Sequence, residues 1–460
     1  MREMLPTHAR STDSLDGKAI REFLKSHGYD VQSSAISRMK IDIDDRLRGD
    51  VVESYQKLQA YFKVMTIKNP DSMWRIDRES DNATFQRACF IPNVGIHISK
   101  MCKSRIGFDG THLKGEMNKR GVYLVATTKD FNNHVIPFAL ALVPVENYEN
   151  WHWFLTCVKL ATGMEKFTTI SDRQKGLLAS VAEVFPKSGH RYCLCHIMNN
   201  INRQGAKLSI DERRTICAMA RSDCENDFKL FRSELAASKP AAAEYLDNID
   251  GKHWIKYKFI EAFGLPTFNE ITSNLSEQAN NWMGSELRSA KPLNGFSLYF
   301  QKLSELTSDK RQVAANWAQK HPDSDLVPIL RAQLAYCVQH LGPQSEDGHI
   351  HTWRLVDLPG QECTCGNWKD QAFPCIHAIC AAIQDGCRLE HLYDSVKMSI
   401  KHFTATYTFR FRPWPKDVTL DTDTTLLIPV LQIEDERLGK QGLKPGPKPK
   451  HKRRRAKNAL

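Results

Sequence analysis

The chain has 460 residues, of which 41% are hydrophobic and 25% charged, a composition typical of a globular protein with about two to four domains. Its longest apolar run, residues 135–145, is too short to cross a bilayer, and no segment has the pattern of a signal peptide, so we expect neither membrane insertion nor secretion. Nine of the 64 basic residues lie in residues 439–460, which contain no acidic residue, and the other 55 nearly balance the 53 acidic ones. The net charge of +11 therefore belongs to a basic tail and does not indicate that the folded body binds nucleic acid.

Residues 1–100 are predicted to be mainly helical. Apolar side chains recur at helical spacing between Val51 and Met65, and Asn69-Pro70 closes that helix. The run Thr84–Ile91 is predicted as a strand that leads into the central region.

The central region changes to a pattern of strands. The apolar run that begins at Arg105 stops at Asp109, and the following Gly110-Thr111 predicts a turn. Three strands, then a helix, a strand and a second helix predict a mixed α/β sheet covered by helices. These elements are predicted at Arg105–Asp109, Gly121–Thr128, Val135–Val143, Trp151–Leu160, Phe167–Ser171 and residues 177–184.

After about residue 200 the pattern becomes wholly helical. Residues 205–265 are predicted as several helices, and a longer helix is predicted from Ser273 to Ser289, with Asn274 or Ser273 as its cap. Further helix is expected in residues 291–343, before a polar linker.

Two aspartates end predicted strands of the same sheet, Asp109 and Asp172. Open α/β sheets bind ligands beyond the carboxyl ends of their strands, and hard divalent cations prefer oxygen ligands, so the two are candidate ligands of one metal pair. Glu149, Glu270 and Glu277 are candidates for a third carboxylate. Each acid taken alone also fits an ordinary turn or a solvated helix face.

Thirteen cysteines without a signal peptide indicate a reducing compartment, in which thiols bind metals or pack in the core. The strongest motif is Cys363-Thr-Cys365, followed after nine residues by Cys375-Ile-His377. Three thiolates and one imidazole fill the tetrahedral shell of zinc, so we predict a closed, structural zinc site. Four coincidental core residues are the alternative.

The basic tail carries a cluster of charges that favours disorder and contact with phosphates. Its members are Lys448, Lys450, Lys452, Arg453, Arg454 and Arg455. We interpret the cluster as a nuclear-import or non-specific nucleic-acid sequence, which predicts a nuclear protein; a merely solubilising tail is the alternative.

Several motifs occur in an order that resembles the Mutator-like element (MULE) transposases. The motifs are Asp109–Gly115, Asn147–Leu155, Ser171–Leu177, His190–His196 and Thr272–Asn280. The similarity covers roughly residues 45–400, and its last part, the cysteine–histidine segment, is similar to the SWIM zinc finger that follows such catalytic domains.

The resemblance implies an RNase H-like sheet and an acidic triad of Asp109, Asp172 and Glu277, with a helical insertion between the last two. It implies that Mg²⁺ or Mn²⁺ supports attack by water, which frees a 3′-hydroxyl at the element end, and then attack by that hydroxyl on target DNA. The Cys-x-x-His signature of the family matches Cys193 and His196, which we interpret as organising the site rather than reacting.

The predicted function is therefore a DNA transposase that acts on element terminal repeats and target DNA, with structural zinc and catalytic Mg²⁺ or Mn²⁺. Transposases commonly act as homo-oligomers, but no heptad pattern here indicates a number. A domesticated, DNA-binding transcription regulator, similar to the far-red-response factors of plants, is the alternative, and the presence of all three acids favours the transposase. A zinc hydrolase is disfavoured because four protein ligands leave no open position on the metal.

The predicted organisation follows from these assignments. It comprises a helical N-terminal region (1–100), an RNase H-like transposase domain (101–290) with a helical insertion (about 205–265), a helical region (291–343), a SWIM-type zinc finger (350–390), a C-terminal extension (391–438) and the basic tail (439–460).

Overall fold

A mixed seven-stranded sheet with helices on both faces forms the centre of the structure. The structure is a computed structural model that describes residues 17–33, 35–36, 38–39, 51–81, 83–320, 325–339, 354–409, 411–412 and 418–429. Among these residues, no helix is both long and apolar enough to span a membrane. The predicted mixed α/β sheet covered by helices is confirmed.

The bounds of the elements are as follows. The strands of the main sheet are β1 (Met73–Arg78), β2 (Phe85–Ile91), β3 (Arg105–His112), β4 (Val122–Lys129), β5 (Val135–Val143), β6 (Thr168–Ser171) and β7 (Gly189–Tyr192), and a small hairpin is formed by β8 (Val356–Asp357) and β9 (Glu362–Cys363). The helices up to the end of the sheet are α1 (Gly17–Ser26), α2 (Val51–Gln56), α3 (Leu58–Lys68), α4 (Asn93–Met101), α5 (Tyr148–Thr162) and α6 (Lys175–Val184). The later helices are α7 (Leu194–Arg203), α8 (Ile210–Arg221), α9 (Glu225–Ser238), α10 (Pro240–Asp247), α11 (Lys256–Phe263), α12 (Asn274–Ser289), α13 (Pro292–Lys320), α14 (Pro328–Gln339), α15 (Asn367–Gln371), α16 (Ile376–Gln384) and α17 (Ile400–Thr408).

The strand order is β1-β2-β5-β4-β3-β6-β7. The pairs from β1 to β3 are antiparallel, whereas β6 pairs parallel with β3 and β7 pairs parallel with β6. β3 does not end at Asp109. Its pairing with β4 continues to His112, opposite Val122, so the prediction of a turn at Gly110-Thr111 is wrong. The reason is the neighbouring strand, whose backbone groups pair with β3 along its whole length.

The sequence patterns did not identify the two outer strands, β1 and β7. In β7 the polar His190 and Arg191 are buried. The His190 ring lies 2.7 Å from Ser171 Oγ, and burial lowers the pKa of His190 to about 3, so the neutral form is favoured. Arg191 donates to the carbonyl of Trp254 at 3.1 Å. The buried polar side chains of this strand thus have partners in Ser171 of β6 and in the carbonyl of Trp254.

Helices cover each face of the sheet around a separate hydrophobic core. On one face, Trp151 of α5 and Val181 of α6 are buried with Phe108 of β3. On the other face, Met283 of α12 is buried with Tyr123 of β4 in the core that also includes α3 and α13. The sheet thus has an α5 face and an α12 face, and successive residues of a strand point to opposite ones.

The core on the α12 face joins regions that the sequence separates as domains. It contains Tyr55, Phe296, Trp368 and Leu426, which come from the N-terminal helices, α13, the cysteine–histidine segment and the C-terminal extension. β1 and β2 also add part of residues 1–100 to the sheet. Four of the predicted regions therefore contribute residues to one continuous hydrophobic core.

The segment between the sheet and α12 is helical, as predicted. Its helices α8 to α11 fall between Ile210 and Phe263 and have a core of their own, centred on the buried Trp254. The next helix, α12, has nearly the bounds predicted for Ser273–Ser289, but a non-helical backbone at Gly284 kinks it. Ser273 precedes the helix without making a side-chain capping hydrogen bond, so it does not act as the predicted cap. In the chain, these helices come after β6, which Asp172 directly follows, and before α12, which packs against β3, the strand that contains Asp109.

Candidate functional site

The parallel pairing of β3 with β6 sets the positions of two predicted metal ligands. Ile106 lies opposite Thr169 in this pair. If the same register is carried three residues further, Asp109 is level with Asp172, which directly follows β6. Because neighbouring strands are about 4.8 Å apart, the fold brings the two aspartates to one end of the same strand pair.

Asp109 is partly buried, and its carboxylate is held by the α12 face. Asn280 Nδ2 donates to Asp109 Oδ2 at 2.7 Å. Burial is the main cause that raises the pKa of Asp109 to about 7, and repulsion from Glu146 and Asp172 adds to the rise. A bound cation would favour the ionised carboxylate and so offset this effect.

Glu146, which the sequence patterns did not single out, lies beside the aspartate pair. Its carboxylate occupies the space next to Gly110, where an added Cβ would lie 2.6 Å from Glu146 Oε2. Trp151 Nε1 donates to Glu146 Oε1 at 3.3 Å. Burial, followed by repulsion from Asp172, raises the pKa of Glu146. The site therefore contains a carboxylate that the predicted triad does not include.

Two of the predicted candidates for the third acid have cationic partners elsewhere. Glu149 is 67% exposed at its side chain and lies 3.6 Å from Arg87. Glu270 forms ion pairs with Arg105 and, at 2.7 Å, with Lys129. Their charges are balanced by these partners.

Glu277 lies in the first turn of α12, the helix that runs along β3. Leu275 of this helix occupies the space next to Gly107, and Asn280 contacts Asp109. Glu277 is exposed and is three residues before Asn280, so both lie on one side of the helix. Glu277 thus lies one helical turn from Asn280, the residue that binds Asp109.

Cys193 and His196, the predicted organising pair, connect α7 to the start of α12. The backbone N–H of Ser273 donates to Cys193 Sγ at 3.2 Å. Burial opposes ionisation of the Cys193 thiol, but hydrogen bonds with His196 and Ser273 outweigh it and lower the pKa of Cys193 to about 7. The contact with Cys193 is the main cause that raises the pKa of His196, and the charges of Asp172 and Asp109 act in the same direction. The pair is therefore close enough to the aspartates to interact with them electrostatically.

The carboxylates at this site supply the oxygen donors that Mg²⁺ and Mn²⁺ prefer. Among the described residues, the cysteine–histidine group is the one set of three or more potential ligands whose atoms all lie within 4.8 Å of one another. The acids are more widely spaced. The match to these ions therefore rests on the type of donor, the carboxylate oxygen.

Cys363, Cys365, Cys375 and His377 form this close group, in which the four ligand atoms lie within 4.8 Å of one another. β9 positions the first cysteine and the start of α16 positions the histidine. Ligand atoms about 2.0–2.3 Å from a common zinc ion would have separations in this range. The group therefore could hold a metal ion such as zinc.

The cysteine–histidine segment is hydrogen-bonded to residues 264–273, which precede α12. Asp370 is fully buried, and its carboxylate accepts the backbone N–H groups of Thr267 and, at 2.8 Å, of Asn269. The backbone N–H of Phe268 donates to the carbonyl of Asp370 at 3.2 Å. The position of α12 thus depends partly on this segment.

Replacing Asp370 with alanine is expected to lower the free energy of unfolding by about 2–4 kcal/mol, because two N–H groups lose a charged acceptor. Urea denaturation of the zinc-loaded chain measures the change. Asp385→Ala is the matched control, since Asp385 lies in the same segment but is exposed. An equal, small effect of both substitutions would show that the contact does not stabilise the fold.

The tail cluster from Lys448 to Arg455 lies outside the described residues. The interpretation of this cluster as an import or nucleic-acid sequence therefore stays a prediction.

The part of the chain that contains Asp109 and Asp172 is similar to known proteins. Residues 105–200 match the family model of the MULE transposase domain. A transposase for insertion sequence element IS1201 from Lactobacillus helveticus is 27% identical over 160 residues, which are 35% of this chain and 36% of that protein. Protein FAR1-RELATED SEQUENCE 6 from Arabidopsis thaliana is 27% identical over 166 residues, 35% of this chain and 22% of that protein. The similarity thus spans about a third of one relative and about a fifth of the other, and Glu277 lies beyond the residues that match the family model.

Proposed function

We propose that the chain is a DNA transposase, on the premise that residues 105–200 are a MULE transposase domain. It would cleave phosphodiester bonds at the ends of the element and join those ends to target DNA. The observation that carries the proposal is the parallel register of β3 and β6, which brings Asp109 and Asp172 together inside that domain. Bound Mg²⁺ or Mn²⁺ would activate the attacking oxygen and stabilise the leaving one.

The protein residues have distinct parts in this proposal. Asp109, within β3, and Asp172, directly after β6, hold the ions, and Asn280 fixes the orientation of Asp109 through its 2.7 Å hydrogen bond. Glu277 completes the proposed triad from the α12 face. The mixed sheet with a helical insertion before α12 supports an RNase H-like fold for the domain.

The cysteine–histidine segment has a structural part. We propose that it is a SWIM-type zinc finger in which all four positions on the metal are filled by protein ligands, so its zinc would stabilise the fold and not react. The close grouping of the four ligand atoms, all within 4.8 Å of one another, supports this assignment.

DNA, as element repeats and as target, is the proposed partner, and a nuclear location and homo-oligomeric assembly are part of the same proposal. Since most of the excess positive charge lies in the tail, binding of DNA should weaken steeply as salt concentration rises.

A DNA-binding transcription regulator without catalytic activity is the second candidate. The observation in its favour is that the same identity, 27%, relates the chain to a plant protein named FAR1-RELATED SEQUENCE 6 and to the bacterial transposase. A regulator needs the fold and the zinc segment but not the acids.

The test is cleavage of DNA that carries the terminal repeats flanking the coding sequence, with Mg²⁺ or Mn²⁺ and with a chelator. The transposase proposal predicts metal-dependent nicks at the repeat ends and strand-transfer products. Binding of this DNA without any cleavage, under conditions in which the protein is folded and zinc-loaded, would favour the regulator.

Glu277→Gln is expected to reduce cleavage by about a hundredfold or more if Glu277 is the third acid of the triad, because a neutral amide is a weak ligand for a divalent cation. Glu261→Gln, on the exposed surface of α11, is the control and should have wild-type activity. Full activity of Glu277→Gln would remove Glu277 from the triad and leave the other acids in place.

A further inference from the structure

We infer that Glu146 is a further carboxylate ligand of the divalent-metal site, which it reaches from the α5 face of the sheet. The inference rests on the proposed function, because it concerns the same metal site, but it adds a residue that the predicted triad omits.

The backbone at Gly110 makes room for this carboxylate. An added Cβ at Gly110 would lie 2.6 Å from Glu146 Oε2 and 3.1 Å from Oε1, so any other residue here would displace the carboxylate. Gly110 directly follows Asp109 in β3. The absence of a side chain at this position therefore allows a second carboxylate next to the backbone that carries the first.

Hydrogen bonds hold Glu146 in this place. Trp151 Nε1, from the buried face of α5, donates to Glu146 Oε1 at 3.3 Å. Gln174 donates through its side chain to the carbonyl of Glu146 at 3.1 Å and through its backbone N–H to Asp172 Oδ1 at 3.2 Å. One residue thus ties the backbone of Glu146 to the carboxylate of Asp172.

Asp109 and Glu146 reach the proposed metal site from different faces of the sheet. Asp109 points to the α12 face, where it meets Asn280, whereas the neighbouring Gly110 position points to the α5 face, where Glu146 lies. The acids therefore flank β3 from two sides. Glu146 would therefore complete the ligand set from the side of β3 that Asp109 does not face.

The neighbouring carboxylate, Glu149, is placed less well. It is three residues away in the same segment but is exposed and lies beside Arg87. Glu146 has no cationic side chain within ion-pair distance among the described residues, so a metal ion would balance its charge.

Binding of Mn²⁺ alone to the full-length, zinc-loaded chain, measured by titration calorimetry, tests the inference without requiring catalysis. Glu146→Gln keeps the shape of the side chain and is expected to weaken the Kd for Mn²⁺ at least about tenfold, which corresponds to about 1.4 kcal/mol. Gly110→Ala should weaken binding in the same way, because its methyl group displaces the carboxylate while Glu146 remains chemically intact. Glu149→Gln is the matched control, and its Kd should stay within about twofold of wild type.

Wild-type affinity in Glu146→Gln, or absence of Mn²⁺ binding in the wild-type chain, would overturn the inference. Circular dichroism of each variant without Mn²⁺ shows whether the fold is kept, and Gly110→Ala provides an independent reading if Glu146→Gln does not fold. The two proposals can fail separately. If Glu146→Gln cleaves DNA like the wild type, the transposase function is supported and Glu146 is not a required ligand. If the chain binds Mn²⁺ through Glu146 but never cleaves DNA, Glu146 is a ligand and the transposase function is refuted.

Discussion

Asp109→Asn is expected to reduce metal-dependent DNA cleavage by about a thousandfold or more, and Asp172→Asn should do the same. Each change would remove an anionic ligand from the proposed metal site, and metal ions contribute several kcal/mol to such reactions, where each 1.4 kcal/mol is a factor of ten in rate. The measurement is the initial rate of nicking of terminal-repeat DNA at saturating Mg²⁺. DNA binding, measured in parallel, should change little, because the substitutions do not remove a basic group.

The stability of Asp109→Asn separates loss of ligand from loss of fold. Burial, with repulsion from Glu146 and Asp172, raises the pKa of Asp109 from 3.8 to about 7, so the folded state binds this proton more tightly than the unfolded chain does. Without divalent cations, the stability contributed by this group is present below pH 3.8 and is lost as pH rises through about 7. Asn carries no charge, and the Tm of the variant at pH 8 should therefore equal or exceed that of the wild type.

Two results would contradict this account. Cleavage that survives in both Asp109→Asn and Asp172→Asn would show that the catalytic centre lies elsewhere. A large fall in Tm for Asp109→Asn would mean that its hydrogen bond with Asn280 matters more for folding than the buried charge costs.

Removal of zinc is expected to have the second large effect. Metal analysis of the purified full-length chain should find about one tightly bound zinc per molecule, and chelation should unfold residues 354–409. Structural zinc sites contribute on the order of 10 kcal/mol to the folding of small modules at neutral pH, and this segment has only short strands and helices besides its share of the core. Hydrogen exchange before and after chelation measures the loss of protection.

Cys365→Ser should reproduce the effect of chelation, since it removes one thiolate of the four ligands. Cys387→Ser is the matched control, because Cys387 is an exposed cysteine in the same segment and lies outside the ligand group. A wild-type chain that contains no zinc and keeps protection in residues 354–409 would refute the structural zinc site.

The sequence predicted most of the sheet because apolar runs and their terminal acids are local signals. β3 to β6 were found in this way, and both aspartates were selected because each follows an apolar run. β1 and β7 were missed, since polar residues such as Arg75 and Arg191 interrupt their apolar pattern. Arg75 is exposed, whereas Arg191 is buried by tertiary contacts that the sequence does not reveal. Local pattern therefore identified the centre of the sheet better than its edges.

Glu146 shows what the sequence patterns could not show. It follows the apolar run at residues 135–145, so the same local signal was present as for the aspartates. The run forms β5, however, which is separated from β3 by β4, and the strand order cannot be read from the sequence. Only the fold shows that the chain after β5 returns to Gly110. Glu277, in contrast, was selected by the family resemblance alone, because its local sequence pattern favoured a solvated helix face.

The hydrogen bond between Thr267 and Asp370 joins residues 103 positions apart. At a synthesis rate of about 5–20 residues per second, the ribosome needs about 5–20 seconds to make the intervening chain. During that interval α12, with Asn280 and Glu277, has been made, but the residues leading into it have not yet been fastened by their later partner. A nascent chain of this length would therefore hold α12 only through its contacts with the sheet, such as the hydrogen bond between Asn280 and Asp109, and without the hydrogen bonds of Asp370. The last contacts that position the residues leading into α12 form only after residue 370 has been made.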